Sequence, residues 1–238
     1  MRILVVNDDG IHAAGIACLA DLAKEFGEVW VVAPMNQCSA MSHKISVHGY
    51  MKIQEEKDFP VEGVHAYSVD GTPADCVKAA CRVIMEEKPD IVFSGVNNGY
   101  NVGYDIAYSG TVGAAMDGLL HGIPAIAYST KMKSDLANVK KYFSIVTKGI
   151  LEQEMSLTEI WNVNFPGCQP EETQGILWDR FPAKTEYYLD HVQVDDNEEG
   201  KFFKYVNIEE CIDETEGSDI HALNHNCISI GMIHSIVH

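Results

Sequence analysis

The chain is short of positive charge. Lys and Arg number 17 against 35 Asp and Glu, a formal net charge of −18 over 238 residues. Non-specific nucleic-acid binding depends on neutralising phosphates with Lys and Arg, so that class is argued against. A small phosphorylated ligand is not, because local amides and a metal ion can override the overall field. No segment approaches the uninterrupted apolar length of a membrane span, and no charged-then-apolar leader precedes the first apolar run. The expectation is a soluble, cytoplasmic protein with no membrane partner. Seven cysteines are scattered without a C-x-x-C pair, which reads as reduced, packed thiols. Repeats and low-complexity tracts are missing. No G-x-G-x-x-G follows the first apolar run, which argues against a nicotinamide-binding dehydrogenase.

What is present begins at once. Ile3 to Val6 is an unbroken, β-branched apolar run, the signature of a strand buried on both faces in a parallel sheet. Asp8, Asp9 and Gly10 follow it. The carboxyl end of a central strand is where ligands bind in open α/β sheets. Two adjacent carboxylates there repel each other and are costly to desolvate unless a cation compensates. A hard divalent ion prefers such oxygens, and Gly10 permits the turn that brings both acids to one side. A plain polar turn is the alternative.

With 46% hydrophobic residues, a large core is available. Ile16, Leu19, Ala20, Ala23 and Phe26 recur at helical spacing, and Val29 to Ala33 is a second strand, together a βαβ unit. The loop from Pro34 to His43 leaves the same sheet edge, so Ser39 or Ser42 is a candidate further oxygen ligand; turn hydroxyls are the alternative. Lys44 to Ile53 alternates as strands do, and Val64 to Val69 is another strand. Thr72-Pro73-Ala74-Asp75 opens a helix as a capping box, which accounts for Asp75 without chemistry.

Ile91 to Ser94 is a further buried strand. The run Gly95 to Thr111 after it holds four glycines and three asparagines, and long structured loops are usually functional. Asn97 lies at the ligand edge, with a neutral carbonyl ligand to offer. Ser109-Gly110-Thr111 precedes a small-residue helix and suits a phosphate at its N-terminus, an ordinary N-cap being the alternative. Ala125 to Ser129, a helix from about Asp135, and a strand from Glu159 to Phe165 continue the alternation, which defines a doubly wound, mostly parallel sheet. After Gly167 the helical periodicity stops. Short strands near 176–178, 187–189, 202–208 and 227–230 suggest an appended β-rich arm, so residues 1–167 are read as the core and 168–238 as an extension. The acidic stretch from Asp190 to Gly200 reads as a solvated loop. His221-x-x-x-His225-x-Cys227, with His234 nearby, fits no tight zinc pattern and is read as incidental.

Together these pieces resemble the SurE family of survival-protein nucleotidases. The resemblance rests on Asn7-Asp8-Asp9-Gly10-Ile11, Ala33-Pro34 with Ser39 and Ser42, Gly71-Thr72-Pro73, Ser94-Gly95-Val96-Asn97 with Gly99, Asn101 and Gly103, and Tyr108 to Ala115. Gly122-Ile123-Pro124 and Asn162-Val163-Asn164 also fit. Ser218-Asp219, Ala222 and Ile228-Ser229-Ile230 look like the family's C-terminal motif, from which His221, Gly231 and Met232 depart. The resemblance implies a Rossmann-like core and a metal-dependent phosphatase of nucleoside 5′- and 3′-monophosphates, sometimes also of polyphosphate. It implies homodimers or homotetramers joined through exchanged C-terminal arms. Carried onto this chain, the ligands of one divalent ion per subunit, Mg²⁺ or Mn²⁺, fall on Asp8, Asp9, Ser39 and Asn97. The substrate and phosphate positions fall on Asn101, Ser109, Gly110 and Thr111. Asp8 and Asp9 are the catalytic candidates, either able to activate water. A receiver-like phosphorylated switch is the alternative, since paired acids after a first strand occur there too, but it leaves the run from Gly95 to Thr111 unexplained.

Overall fold

The computed structural model describes residues 1–197 and 200–235. In chain order the strands are β1 (Arg2–Val6), β2 (Glu28–Pro34), β3 (Ile53–Glu55), β4 (His65–Val69), β5 (Ile91–Asn98), β6 (Ala125–Thr130), β7 (Glu159–Phe165), β8 (Gly175–Leu177), β9 (Tyr188–Asn197), β10 (Gly200–Glu210) and β11 (Cys227–His234). The α-helices are α1 (Ala14–Ala23), α2 (Pro73–Ala79), α3 (Gly110–Leu120), α4 (Ala137–Leu151) and α5 (Asp219–Asn224). Nine strands form one sheet in the order β3-β4-β2-β1-β5-β6-β7-β11-β8. From β4 to β7 every pairing is parallel. The β1–β5 gap is where the winding reverses, because β2 lies on one side of β1 and the later strands on the other.

Alternation along β1 explains the two-sided core. Ile3 and Val5 face one apolar layer with Ile16 and Leu19 of α1 and Phe143 and Val146 of α4. Leu4 and Val6 face the other, with Cys76 and Val77 of α2 and Val112, Ala115 and Leu119 of α3. All four β1 residues are fully buried. The capping box forms as expected: the Thr72 hydroxyl accepts from the Asp75 amide, and the Asp75 carboxylate accepts from the Thr72 amide.

The tail departs from expectation in three places. Residues 168–238 are not all an arm, since β11 pairs antiparallel with β7 and β8 parallel with β11, extending the main sheet. Only β9 and β10 stand apart, as a two-stranded antiparallel ribbon. The acidic stretch from Asp190 is therefore mostly strand, not loop; positions 198 and 199 lie outside the described residues. The third departure is α5, one short helix capped by the Ser218 hydroxyl on the His221 amide. At the other edge, Lys44 to Tyr50 forms no strand and only Ile53–Glu55 does. Its alternation is not matched by burial, since Ser46, Val47, His48, Gly49 and Tyr50 are not buried.

Candidate active site

Asp8 and Asp9 leave the carboxyl end of β1 as it turns at Gly10. The turn is fixed from inside, with the Asn7 amide donating to the Gly10 carbonyl at 3.0 Å. The β2 loop comes back over it, the Cys38 amide donating to the Asp8 carbonyl at 2.7 Å. That contact puts Ser39 beside the acids. Asp8 is 4% exposed and its Oδ1 accepts from the Thr111 hydroxyl at 2.7 Å. Asp9 reaches across to β5, its Oδ2 accepting from the Asn98 amide at 3.0 Å. Gln37 Nε2 donates to Ser39 Oγ at 2.9 Å and lies 3.5 Å from Asp9 Oδ1.

Asn97 stands where β5 pairs with β6 beyond an irregularity between Ser94 and Asn97. Its Nδ2 donates to the Gly99 carbonyl at 2.9 Å, which leaves Oδ1 as the group available to a ligand. Helix α3 starts hard against Asp8. A Cβ on Gly110 would sit 2.8 Å from Asp8 Cβ and 3.0 Å from its Oδ2, so the approach requires glycine. Ser109 caps α3, its hydroxyl accepting from the Val112 amide at 3.0 Å. The first amides of a helix have no partner within it, and here they open toward the acids.

Asp8, Asp9, Ser39, Asn97, Asn101 and Ser109 line one cavity of about 700 Å³. Tyr100, Tyr108 and Met132 extend it outward, and Tyr188, Val192 and Tyr205 of the ribbon close its far side. Among the described residues lining it there is no lysine or arginine, whereas Asp105 and Glu186 add further carboxyls. Burial pushes the Asp8 carboxyl up to about 6 against the Thr111 hydrogen bond, and Asp9 beside it adds a smaller push. Burial raises Asp9 as well. Two acids whose carboxyls are both pushed upward by burial, in a pocket lined by no cationic side chain, fit a divalent ion. The donors are all oxygens, two carboxylates, a hydroxyl and an amide carbonyl, which suit a hard cation.

Some sequence candidates sit differently. Ser42 does not join the cavity: its hydroxyl and amide donate to the Ala107 and Tyr108 carbonyls, both at 2.8 Å. That leaves Ser39 of the two serines. The Thr111 side chain is fully buried on Asp8, and its backbone amide also favours the Asp8 carboxylate, so Thr111 serves Asp8 rather than a ligand. Asn101 lines the cavity, yet its Nδ2 donates to Ser129 Oγ at 2.8 Å and its carbonyl accepts from both Asn162 and Asn164. Gln37, the Asn98 amide and the tyrosine rim escaped the sequence reading, because only the folded register brings them near Asp9.

Fold and site define a doubly wound α/β protein with a carboxylate pair and a helix N-terminus facing each other at the carboxyl edge of its central strands. The family model for survival protein SurE matches residues 3–186. The chain belongs to that family. It is 38% identical to the 5′-nucleotidase SurE of Caldanaerobacter subterraneus subsp. tengcongensis, spanning 98% of this chain and 91% of that one. It is 35% identical to the 5′-nucleotidase SurE of Heliobacterium modesticaldum, spanning 98% and 86%. The crystal structure of the SurE protein from Aquifex aeolicus superposes with a TM-score of 0.83 at 33% identity, covering 100% of this chain and 95% of that one. None of these relatives supports the receiver-like switch.

Proposed function

We propose that the chain is a metal-dependent phosphatase that hydrolyses nucleoside 5′-monophosphates, and also 3′-monophosphates and polyphosphate, releasing phosphate. The observation that carries this reading is the single cavity in which Asp8, Asp9, Ser39 and Asn97 face the N-terminus of α3 with no lysine or arginine among them. An anionic substrate enters such a pocket only if a cation accompanies it. The names of the relatives supply the substrate class.

Asp8, Asp9, Ser39 and Asn97 would hold one divalent ion per subunit, Mg²⁺ or Mn²⁺. When bound, that ion supplies Lewis-acid polarisation of the phosphoryl group and lowers the pKa of a nearby water. The Gly110 amide and the Ser109 hydroxyl at the start of α3 would hold the equatorial phosphoryl oxygens, where charge spreads in the loose transition state, while Thr111 positions Asp8. The Thr111 hydroxyl fixes Asp8 in place. Asp9 is the less committed carboxylate, its Oδ1 meeting only the distant Gln37 amide. It would accept the proton as water attacks phosphorus and return that proton to the departing ribose oxygen as the P–O ester bond breaks, giving phosphate and nucleoside. Tyr108, Tyr188 and Tyr205 offer ring faces and edges to the nucleoside.

Residues 1–167 then act as the catalytic core and 168–238 as an extension of the same domain. The ribbon exposes Val194, Phe202, Phe203 and Tyr205, which supports homodimers or homotetramers joined through these arms. Among the described residues no helix is long and apolar enough to cross a membrane, and the reading places the enzyme in the cytoplasm. Phosphate release from AMP tests it. Turnover lost on chelation and restored by Mn²⁺ or Mg²⁺ supports the phosphatase; turnover indifferent to the chelator overturns the metal-dependent mechanism.

A further inference from the structure

His221 stands in a cluster of three potential metal ligands outside the cavity. The loop from β10 to α5 carries Glu214, and α5 carries His221 and His225 one turn apart. One ligand atom from each of the three lies within 4.8 Å of the others. The local structure holds them in register. Asp213 accepts from the Thr215 amide at 3.1 Å and hydroxyl at 2.7 Å, and from the Ser218 hydroxyl at 2.8 Å, which fixes the turn bearing Glu214. Ser218 in turn caps α5 at the His221 amide.

The His225 imidazole is set up as a metal ligand usually is. His225 Nδ1 lies 2.9 Å from the His221 carbonyl oxygen, so it donates there and Nε2 carries the lone pair. That second hydrogen bond, fixing tautomer and ring orientation, accompanies nearly every metal-bound histidine. His221 Nδ1 is buried without a hydrogen-bond partner among the described residues. The two rings lie 4.3 Å apart between centroids and are tilted by 36°. Glu214 is exposed, so its carboxylate is free to close the last gap to the roughly 3.3 Å between ligand atoms that tetrahedral zinc bond lengths imply. Cys227 and His234 take no part. Cys227 Sγ meets the His225 carbonyl, and His234 pairs with Glu159 at 3.1 Å.

We propose that Glu214, His221 and His225 form a second metal site, selective for Zn²⁺ or a similar borderline ion. Imidazole nitrogens favour such ions, whereas the all-oxygen cavity favours Mg²⁺ or Mn²⁺. The site staples the exit of the ribbon to α5. The consequence reaches the cavity, because Asp219 at the start of α5 accepts from the Gly103 and Ala183 amides, both at 2.9 Å. Gly103, with φ +53° and a Cβ position 2.3 Å from the Thr185 carbonyl oxygen, is the point where the loop from Gly99 to Tyr108 is held down.

The test is calorimetric titration of the full metal-free chain with Zn²⁺, in excess Mn²⁺ to occupy the oxygen site. One Zn²⁺ per chain is expected, with binding weakened by about tenfold or more in His225→Gln and in His221→Gln. Glu214→Gln, altering an exposed side chain that holds no helix together, gives the same direction of change if a histidine variant misfolds. A Zn²⁺ isotherm identical in the native chain and in Glu214→Gln and His225→Gln, or no Zn²⁺ uptake at all, overturns the proposal.

Discussion

The floor and the outer wall of the cavity rest on different kinds of structure. Asp8 and Asp9 follow β1 and Asn97 lies near the end of β5, strands packed on both faces; Asp8 is tied to α3, Asp9 to β5, and Asn97 to the Gly99 carbonyl just beyond its own strand. Val192 and Tyr205 belong instead to a two-stranded ribbon whose Phe203 is 67% exposed. Two strands alone are marginal in water, so the ribbon depends on its anchors. Those anchors include the Tyr100 amide on the Tyr188 hydroxyl at 2.7 Å, the Tyr188 amide on the Asp105 carboxylate at 3.0 Å, and Lys131 on Glu210 at 2.8 Å. On the proposed reading the contrast separates tasks: groups that must be placed within a fraction of an ångström come from the sheet, and groups that only enclose the substrate come from the ribbon.

Changes at the floor are therefore expected to stop chemistry, and changes at the wall to alter binding. The largest effect is Asp9→Ala, expected to lower phosphate release on the order of a thousandfold or more while circular dichroism stays native, since several kcal/mol of metal-assisted stabilisation go with it. A folded variant with normal turnover would remove Asp9 from the metal site. Next is Gly110→Ala, which drives a methyl into Asp8 and displaces α3; kcat is expected to fall by about a hundredfold.

Asp117→Asn reads the support behind the floor. Asp117 is 1% exposed, and its Oδ1 lies 2.9 Å from Lys78 Nζ and 3.1 Å from His43 Nε2, tying α3 to α2 and to the β2 loop. Burial would raise its carboxyl, but the His43 and Lys78 hydrogen bonds outweigh that and hold it below its usual 3.8. A depressed folded value means the stabilisation is present above about pH 3.8 and is lost as pH falls through the lower folded value. The variant is expected to lose about 1–3 kcal/mol at neutral pH by urea denaturation. Its deficit should shrink as the pH is taken below 3.8. A deficit that persists in acid would assign the loss to packing. The smallest effect is Tyr205→Ala, expected to raise KM for AMP by about tenfold with kcat nearly unchanged. A fall in kcat alone would show that the ribbon does more than enclose.

The parts legible in the sequence were those written in local patterns. Ile3–Val6 and the later buried runs announced parallel strands, Thr72 to Asp75 announced a cap, and Asp8, Asp9 and Asn97 fell at the strand ends where the βα alternation put them. Harder parts depended on pairing across distance. Nothing near Ser42 tells it from Ser39, because the choice is made by carbonyls at Ala107 and Tyr108. Helix α5 spans too few residues for its periodicity to register against the surrounding strands. β11 joins β7 antiparallel after a long detour, and its alternation alone names no partner.

Among the described residues, the two-stranded ribbon shares no strand pairing with the main sheet. Substitutions on its outward side chains, such as Phe202 and Phe203, leave untouched the hydrogen bonds that fix Asp8 and Asp9. With the ribbon enclosing the nucleoside as proposed, preference for one base over another can be retuned there without touching the two carboxylates.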